Sequence, residues 1–440
     1  MTKLLLTCFT FLTITVTAQK ALTLEEAQSM ALENNNAIKN ARLDLDIAKQ
    51  KIWETTAIGL PQINAEGGFQ NFLELPTTVL PANAFNPMAP EGELIGIQFG
   101  TDYNIMGNIT LTQLIFDGRY FVGLQASRAV SDLYKKSIKK SELDAKKSVA
   151  QAYYTIVVTQ ATLKTLEASY VELEKIYAST KKIADAGLLE QTDADQLSIT
   201  LRSVKNNLTS IKNQIEVAKN LLKLEMGLEL TDSIEVNQSL DYFIADAKVL
   251  AQNNFNSSAN INYQLVEQQL ILSRLNVKNE KAFAMPSLAG FITHQQQAMR
   301  NDFSFFESGQ PWYPSTFWGL RLTIPIFSSG MRLSKINQSK LEVKKLENSL
   351  HQLDNGLKIQ YQQIVSNFEL ALTTLENEQQ NVAVTEKIMR NMNIKFQERM
   401  VSSIELSQAQ TQYLTAQANY VNAAYKLINA KLELNYLLNK

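Results

Sequence analysis

Tyr103-Asn104-Ile105-Met106-Gly107-Asn108-Ile109-Thr110-Leu111-Thr112-Gln113-Leu114-Ile115-Phe116-Asp117-Gly118-Arg119 joins two periodicities in one stretch. Phe99, Tyr103, Ile105, Ile109 and Leu111 alternate with Gln98, Asp102, Asn104, Asn108 and Thr110, the period-two pattern of a strand. Phe116-Asp117-Gly118 makes a turn, and from Arg119 to Ala186 there is no proline and a single glycine, Gly123. At the α-helical rise that run could reach roughly 100 Å as one helix. A long strand feeding a very long helix is the unit from which the fold must be built.

The unit occurs twice. Leu111-Thr112 with Ile115-Phe116-Asp117-Gly118 matches Leu322-Thr323 with Ile326-Phe327-Ser328-Ser329-Gly330. Upstream, Leu60-Pro61-Gln62-Ile63 matches Met285-Pro286-Ser287-Leu288, each closing a helical pattern, one through Leu45, Ala48 and Ile52, the other through Leu270, Ser273 and Val277. Ala27, Met30, Ala31 and Asn34 pair with Ala247, Leu250, Ala251 and Asn254, and Lys223-Leu224-Glu225 pairs with Lys431-Leu432-Glu433. Landmarks kept in order define two repeats, each a helix, a strand pair and a long helical stretch.

The strand pairs follow Pro61 and Pro286, since proline is excluded from helix interiors and drives the preceding residue to extended backbone. Ile63, Ala65, Gly67 and Phe69 alternate with Gln62, Asn64, Glu66 and Gln70, while Trp318, Leu320, Leu322, Ile324 and Ile326 share a face. An ordinary half-buried sheet would read the same way. Length and aromatic placement favour membrane strands: about 9–11 tilted residues cross a bilayer. Phe72, Phe99, Tyr103, Phe303, Phe305, Phe306, Trp312, Tyr313, Phe317 and Trp318 gather near the strand ends and connections. Gly67-Gly68 predicts a bend or bulge.

The second helical stretch, Met331 to Arg399, has no proline and only Gly356. Its stripe Leu346, Leu350, Leu353, Leu357, Tyr361, Ile364, Phe368, Ala371 and Leu375 steps at a mean of about 3.6 residues, the period of a nearly straight helix. By helix pattern alone a soluble coiled-coil scaffold or adaptor in the periplasm fits as well.

Composition narrows the function. The 440 residues carry 42 basic and 43 acidic side chains, which argues against nucleic acid as a bulk partner. One Cys and two His argue against a Cys/His metal site or a disulfide framework. His294 and His351 have no recurring Asp, Ser or Cys partner nearby, so neither catalysis nor a cofactor is expected. Lys3, the apolar run Leu4–Val16 and Val16-Thr17-Ala18 have the three parts of a secretory signal, cleaved near Ala18 and taking Cys8 with it. No later segment offers 18 consecutive apolar residues, so an exported chain is either soluble or inserted as a β-barrel.

Four strands cannot close a membrane barrel, because the smallest have about eight. Open edges in lipid leave backbone groups unpaired at several kcal/mol each. Membrane strands must therefore be pooled, two chains giving eight and three giving twelve. The long helices pooled beneath would form a hollow cylinder, a conduit.

Leu22-Thr23-Leu24-Glu25-Glu26-Ala27, the Leu60-Pro61-Gln62-Ile63 step, Phe116-Asp117-Gly118 and the repeated halves resemble the TolC-like outer-membrane efflux protein family across the mature chain. The resemblance implies a mainly α fold with a membrane β-barrel. It implies a homotrimer whose four strands per protomer make a 12-stranded barrel, continuing into a long α-helical periplasmic tunnel. It also implies an exit duct for tripartite efflux or type I secretion, in contact with outer-membrane lipid, a periplasmic adaptor (membrane fusion) protein and, through it, an inner-membrane transporter. The expected segments are a signal peptide 1–18, an N-terminal helix 19–60, a first barrel hairpin 61–116 and first-repeat tunnel helices 117–226. An inter-repeat segment 227–259, a helix 260–285, a second barrel hairpin 286–327 and second-repeat tunnel helices 328–440 follow.

In the family the inner tunnel end is made of helix–turn–helix tips that dock the adaptor. The matching positions are Gly187, Leu188 and Leu189 in one tip, and Met400, Val401, Ser402 and Ser403 in the other, with Met400 where the family has glycine. Asp185, Asp193 and Asp195, beside Glu190, cluster at the first tip. Facing a threefold lumen they would form charged rings that attract cations. A solvated acidic helix start, with Thr192 or Asp193 as N-cap, explains the same residues.

Overall fold

The computed structural model describes residues 20–248 and 255–439. The leader with Cys8, and Leu250, Ala251 and Asn254 of the repeat comparison, lie outside the described residues. Along the chain run β1 (Lys20–Leu22), α1 (Leu24–Asn34), α2 (Asn36–Ala57), β2 (Gln62–Asn71), β3 (Thr77–Pro81), β4 (Leu94–Gln98), β5 (Tyr103–Asp117) and α3 (Gly118–Asp185). Then come α4 (Gln191–Met226), β6 (Ile234–Val236), α5 (Leu240–Lys248), α6 (Ile261–Ala282), β7 (Ser287–Arg300), β8 (Tyr313–Thr323), α7 (Met331–Gln397) and α8 (Ser403–Leu437). Helices α3 and α7 are single elements of 68 and 67 residues, as the absence of proline permits.

The chain divides into two units, one spanning 45–134 and 267–348, the other 1–44, 135–266 and 349–440. The first holds an antiparallel four-stranded sheet in the order β2-β5-β7-β8. Register from Gln62↔Thr112 to Asn71↔Tyr103 is continuous, so Gly67 and Gly68 make no bulge. The irregularity lies instead between Leu114 and Phe116, just before the strand passes into α3. Gly59 and Gly118 permit close approach at the helix–strand junctions: a Cβ on Gly59 would fall 2.4 Å from the Tyr120 hydroxyl. The sequence reading missed a hairpin, β3–β4, between β2 and β5.

The second unit is helical. Val149, Tyr153 and Ile156 of α3, Leu222 and Met226 of α4, Phe368 and Leu375 of α7 and Leu427 of α8 close one core, with Leu22, Ala27 and Phe243. Tyr153 donates its hydroxyl to Leu22 O at 2.8 Å, anchoring the parallel pair β1–β6. Of the α7 stripe, Leu357, Ile364, Phe368, Ala371 and Leu375 are buried.

A single joint is built twice here. Asn35, between α1 and α2, donates Nδ2–H to Glu225 O and accepts from Ala37 N–H, both at 2.8 Å. Asn260, before α6, donates to Leu437 O at 2.9 Å and accepts from Asn262 N–H at 2.9 Å. Two residues beyond those carbonyls, Gly227 (φ 70°) and Asn439 (φ 55°) are both left-handed. Glu225 is thus equivalent to Leu437, and the sequence pairing of Lys223-Leu224-Glu225 with Lys431-Leu432-Glu433 is displaced by one helical turn.

Candidate conduit and docking tips

Residues opposite one another in an antiparallel ladder share a face. Successive rows of the four-stranded sheet read Ile63, Leu111, Ile292, Trp318 and then Ala65, Ile109, His294, Thr316 on one side. The other side reads Gln62, Thr112, Phe291, Gly319, then Asn64, Thr110, Thr293, Phe317, then Glu66, Asn108, Gln295, Ser315. One face is apolar and standing free, with Ile63, Ile109, Trp318, Leu320 and Leu322 all exposed. The opposite face is rich in carboxamides and hydroxyls, with Thr110 and Thr293 hydrogen-bonded side by side at 2.9 Å. His294 falls on the apolar side, where its Nδ1 meets Thr316 Oγ1 at 2.7 Å.

An apolar face turned to solvent cannot be the interior of a two-layer domain, because no second layer covers it. Both edge strands, β2 and β8, are long and have a free side among the described residues. At the far end of the sheet Phe69, Tyr103, Phe303 and Phe305 form one aromatic cluster, with Phe303–Phe305 centroids 5.6 Å apart. Arg300 sits over the Phe305 ring and donates to Ser304 O and Pro311 O, closing the β7–β8 connection.

The helical unit ends in two turns, one between α3 and α4, the other between α7 and α8. In the first, Gly187 adopts φ 72°, and Leu188 N–H reaches back to Ile183 O at 3.1 Å. In the second the left-handed residue is Arg399 (φ 59°), with Met400 N–H bonded to Lys395 O at 2.8 Å. Arg399 therefore takes the glycine position, and Met400 corresponds to Leu188, correcting the match by one residue. Leu188 and Met400 stand out of the turns at 64% and 72% exposure, while Leu189 and Val401 behind them are half-buried.

The helix starts also differ from expectation. The N-cap of α4 is Glu190, not Thr192 or Asp193, and it makes no side-chain cap bond. Asp193 lies in the first turn and reaches across to the other hairpin, where its Oδ1 accepts from Ser403 N–H at 3.2 Å and from the Ser403 hydroxyl. Ser403 is buried, so this link fastens the two turns together. Ser402 caps α8 in a reciprocal box with Glu405. The Ser402 N–H, 2.8 Å away, holds the Glu405 carboxyl below its ordinary range. Asp185 and Asp195 are exposed. A recess of about 280 Å³ between the turns is lined by Ile183, Leu189, Asp193, Phe396, Arg399 and Val401 among others.

Among the described residues no group of three or more His, Cys, Asp or Glu side chains could hold a metal ion. No described helix is long and apolar enough to cross a membrane.

Comparison with known proteins falls on both repeats. The family model described as outer membrane efflux protein matches residues 27–228 and 259–440. The chain belongs to this family. The cation efflux system protein CusC of Escherichia coli O157:H7 is 22% identical over 422 residues, 93% of this chain and 81% of that protein. Among solved structures, CusC superposes with a TM-score of 0.73 at 17% identity, covering 94% of this chain and 91% of that one. The Campylobacter jejuni CmeC channel gives 0.71 at 16%, over 94% and 85%. The open-state MtrE channel of Neisseria gonorrhoeae gives 0.72 at 15%, over 94% and 88%. The family is one of channel proteins, and its fold, strands for a barrel joined to tunnel helices in two repeats, is this chain's fold. Its function, an exit duct for efflux across the outer membrane, sets aside the soluble scaffold.

Proposed function

We propose that three copies pool their sheets into a closed 12-stranded barrel in the outer membrane and their helices into a tunnel through the periplasm. The observation that carries this is the open sheet with an apolar and a polar face. Strand directions alternate from β2 to β8, so β8 of one copy runs antiparallel to β2 of the next and the ring closes without a mismatch. Closure removes the edges that lipid cannot solvate. The apolar face then meets lipid and the carboxamide face lines water.

The signal peptide is removed near Ala18, and the segments follow the boundaries given above, from the barrel hairpins at 61–116 and 286–327 to the tunnel helices at 117–226 and 328–440. The tips, Gly187, Leu188 and Leu189 with Met400, Val401, Ser402 and Ser403, dock a periplasmic adaptor linked to an inner-membrane transporter, which supplies the energy. Exposed Leu188 and Met400 are the apolar knobs suited to that contact. Asp185, Asp193 and Asp195 border the inner mouth, where the duct conducts without catalysis. Opening breaks the Asp193–Ser403 link and splays the hairpins, a shear of packed helices.

Reconstituted in planar bilayers, the outer-membrane protein should form channels. Leu188→Asp with Met400→Asp should abolish cross-linking to the adaptor while leaving channel formation intact. Channels that never form, or a double variant that still captures the adaptor, would refute the respective half of the reading.

A further inference from the structure

On the polar face of the sheet one group of side chains does not fit a plain hydrophilic wall. Phe291 of β7 lies across Gly319 of β8, where a Cβ would stand 2.9 Å from the ring. It is flanked on one side by Phe317, edge-on with centroids 6.2 Å apart, and on the other by the Arg321 guanidinium, 5.5 Å from its centroid. A side chain at 319 would lift the ring off the sheet, so the glycine is what lets Phe291 lie flat. Arg321 and Phe317 remain exposed, and Arg321 makes no hydrogen bond or ion pair to any described residue.

The surroundings leave that cation uncompensated. Charged residues on the polar side of the four strands are Glu66, Asp117 and Arg321. Asp117 is neutralised by Arg119, whose Nη2 is 2.5 Å away. Glu66 shares a row with Ser315, six residues from Arg321 along the strand. At the strand rise that is about 20 Å, twice the Debye length at 0.1 M salt. The carboxamides and hydroxyls between them carry no charge.

We propose that Phe291, Phe317 and Arg321 form a subsite on the duct wall that favours organic anions with a flat apolar body, such as aromatic carboxylates. The inference rests on the duct reading, which turns this face toward the lumen. Arg321 supplies a planar fork of donors suited to a carboxylate. The Phe291 and Phe317 rings supply apolar surface within reach of the same ligand. Repeated around a closed barrel, the guanidinium becomes a ring of positive charge at the end of the sheet from which the helices leave, the device that selects anions in pores.

Reversal potentials across planar bilayers test this, with potassium chloride, acetate and benzoate as probes. Arg321→Gln should lower anion-to-cation permeability by about two- to threefold for all three salts, and Arg321→Lys should largely restore it. Phe291→Leu and Phe317→Leu, milder than truncation to Ala, should leave chloride unchanged and remove the preference of benzoate over acetate. Arg321→Gln channels with wild-type selectivity would overturn the inference and leave the duct standing, as when a neighbouring copy's carboxylate neutralises the site. Equal benzoate and acetate permeation in the wild type would overturn the aromatic part. Wild-type protein that forms no channel would overturn the duct reading, and this inference with it.

Discussion

Gly227→Ala should be among the most damaging single-methyl additions to the helical unit. Gly227 ends α4 at φ 70°, ψ 31°, with its own N–H on Leu224 O and the next residue's N–H returning to Lys223 O. A left-handed alanine costs about 1–2 kcal/mol by itself. The added Cβ would stand 2.3 Å from Asn34 O and 2.6 Å from Asn34 C, both backbone atoms that cannot swing aside. Relieving the clash needs a shift of about 1 Å in the joint where Asn35 binds Glu225 O and receives Ala37 N–H, bonds worth about 1 kcal/mol each. Together these give about 3–4 kcal/mol, a large share of a typical domain's stability. The assay is urea unfolding of the detergent-solubilised protein followed by helical circular dichroism. Asn439 is the internal control. Asn tolerates the left-handed region, so backbone strain alone predicts that Gly227→Asn is mild, whereas the clash predicts that it is as harmful as Gly227→Ala. A Gly227→Ala loss below about 0.5 kcal/mol, or a mild Gly227→Asn, would refute the reasoning.

Further expectations concern the tips and the core. Arg399→Gly should stabilise the second turn by about 1 kcal/mol, since it relieves a left-handed arginine, visible as a higher unfolding midpoint. Asp193→Ala strands the buried Ser403 hydroxyl at a cost of about 1–3 kcal/mol and should raise the open fraction of single channels; unchanged gating would clear it of a latching role. Replacing both Asp193 and Asp195 by Asn should reduce cation selectivity, and unchanged selectivity and conductance would remove both from the inner mouth. Burial pushes the Tyr153 phenol from 10.0 up to about 12. A raised value stabilises the fold below the unfolded value, so stability should fall between pH 10 and 12 and Tyr153→Phe should flatten that fall.

The architecture was legible where the physics is local and strong. Proline marks the strand starts at 61 and 286, period-two alternation sorts the sheet faces, and proline-free runs become single helices. What stayed hidden has specific causes. A helix repeats its face about every turn, so sliding Lys223-Leu224-Glu225 onto Lys431-Leu432-Glu433 keeps the apolar pattern while missing the true partner by four residues. The Asn35 and Asn260 joints fix it, because a side-chain bond to one carbonyl has no such ambiguity. At the second tip an arginine occupies the left-handed position, which no propensity rule points to. Counting back from the two joints gives Arg399 against Gly187. Short β3 and β4 lie among Pro76, Pro81, Pro87 and Pro90, a composition that reads as loop. Phe291 and Arg321 were hidden because their meeting depends on Gly319, which shares a strand with Arg321 but stands across the ladder from Phe291.

The central claim is that lipid-facing strands from three chains share one barrel. Its most direct test is the mass of the protein extracted by detergent from the outer-membrane fraction, measured by native mass spectrometry before and after heating. The account predicts a particle of three chains that falls to single chains on heating. A water-soluble monomer or dimer released with the periplasmic contents would contradict it, because the apolar face of the sheet would then never have met lipid.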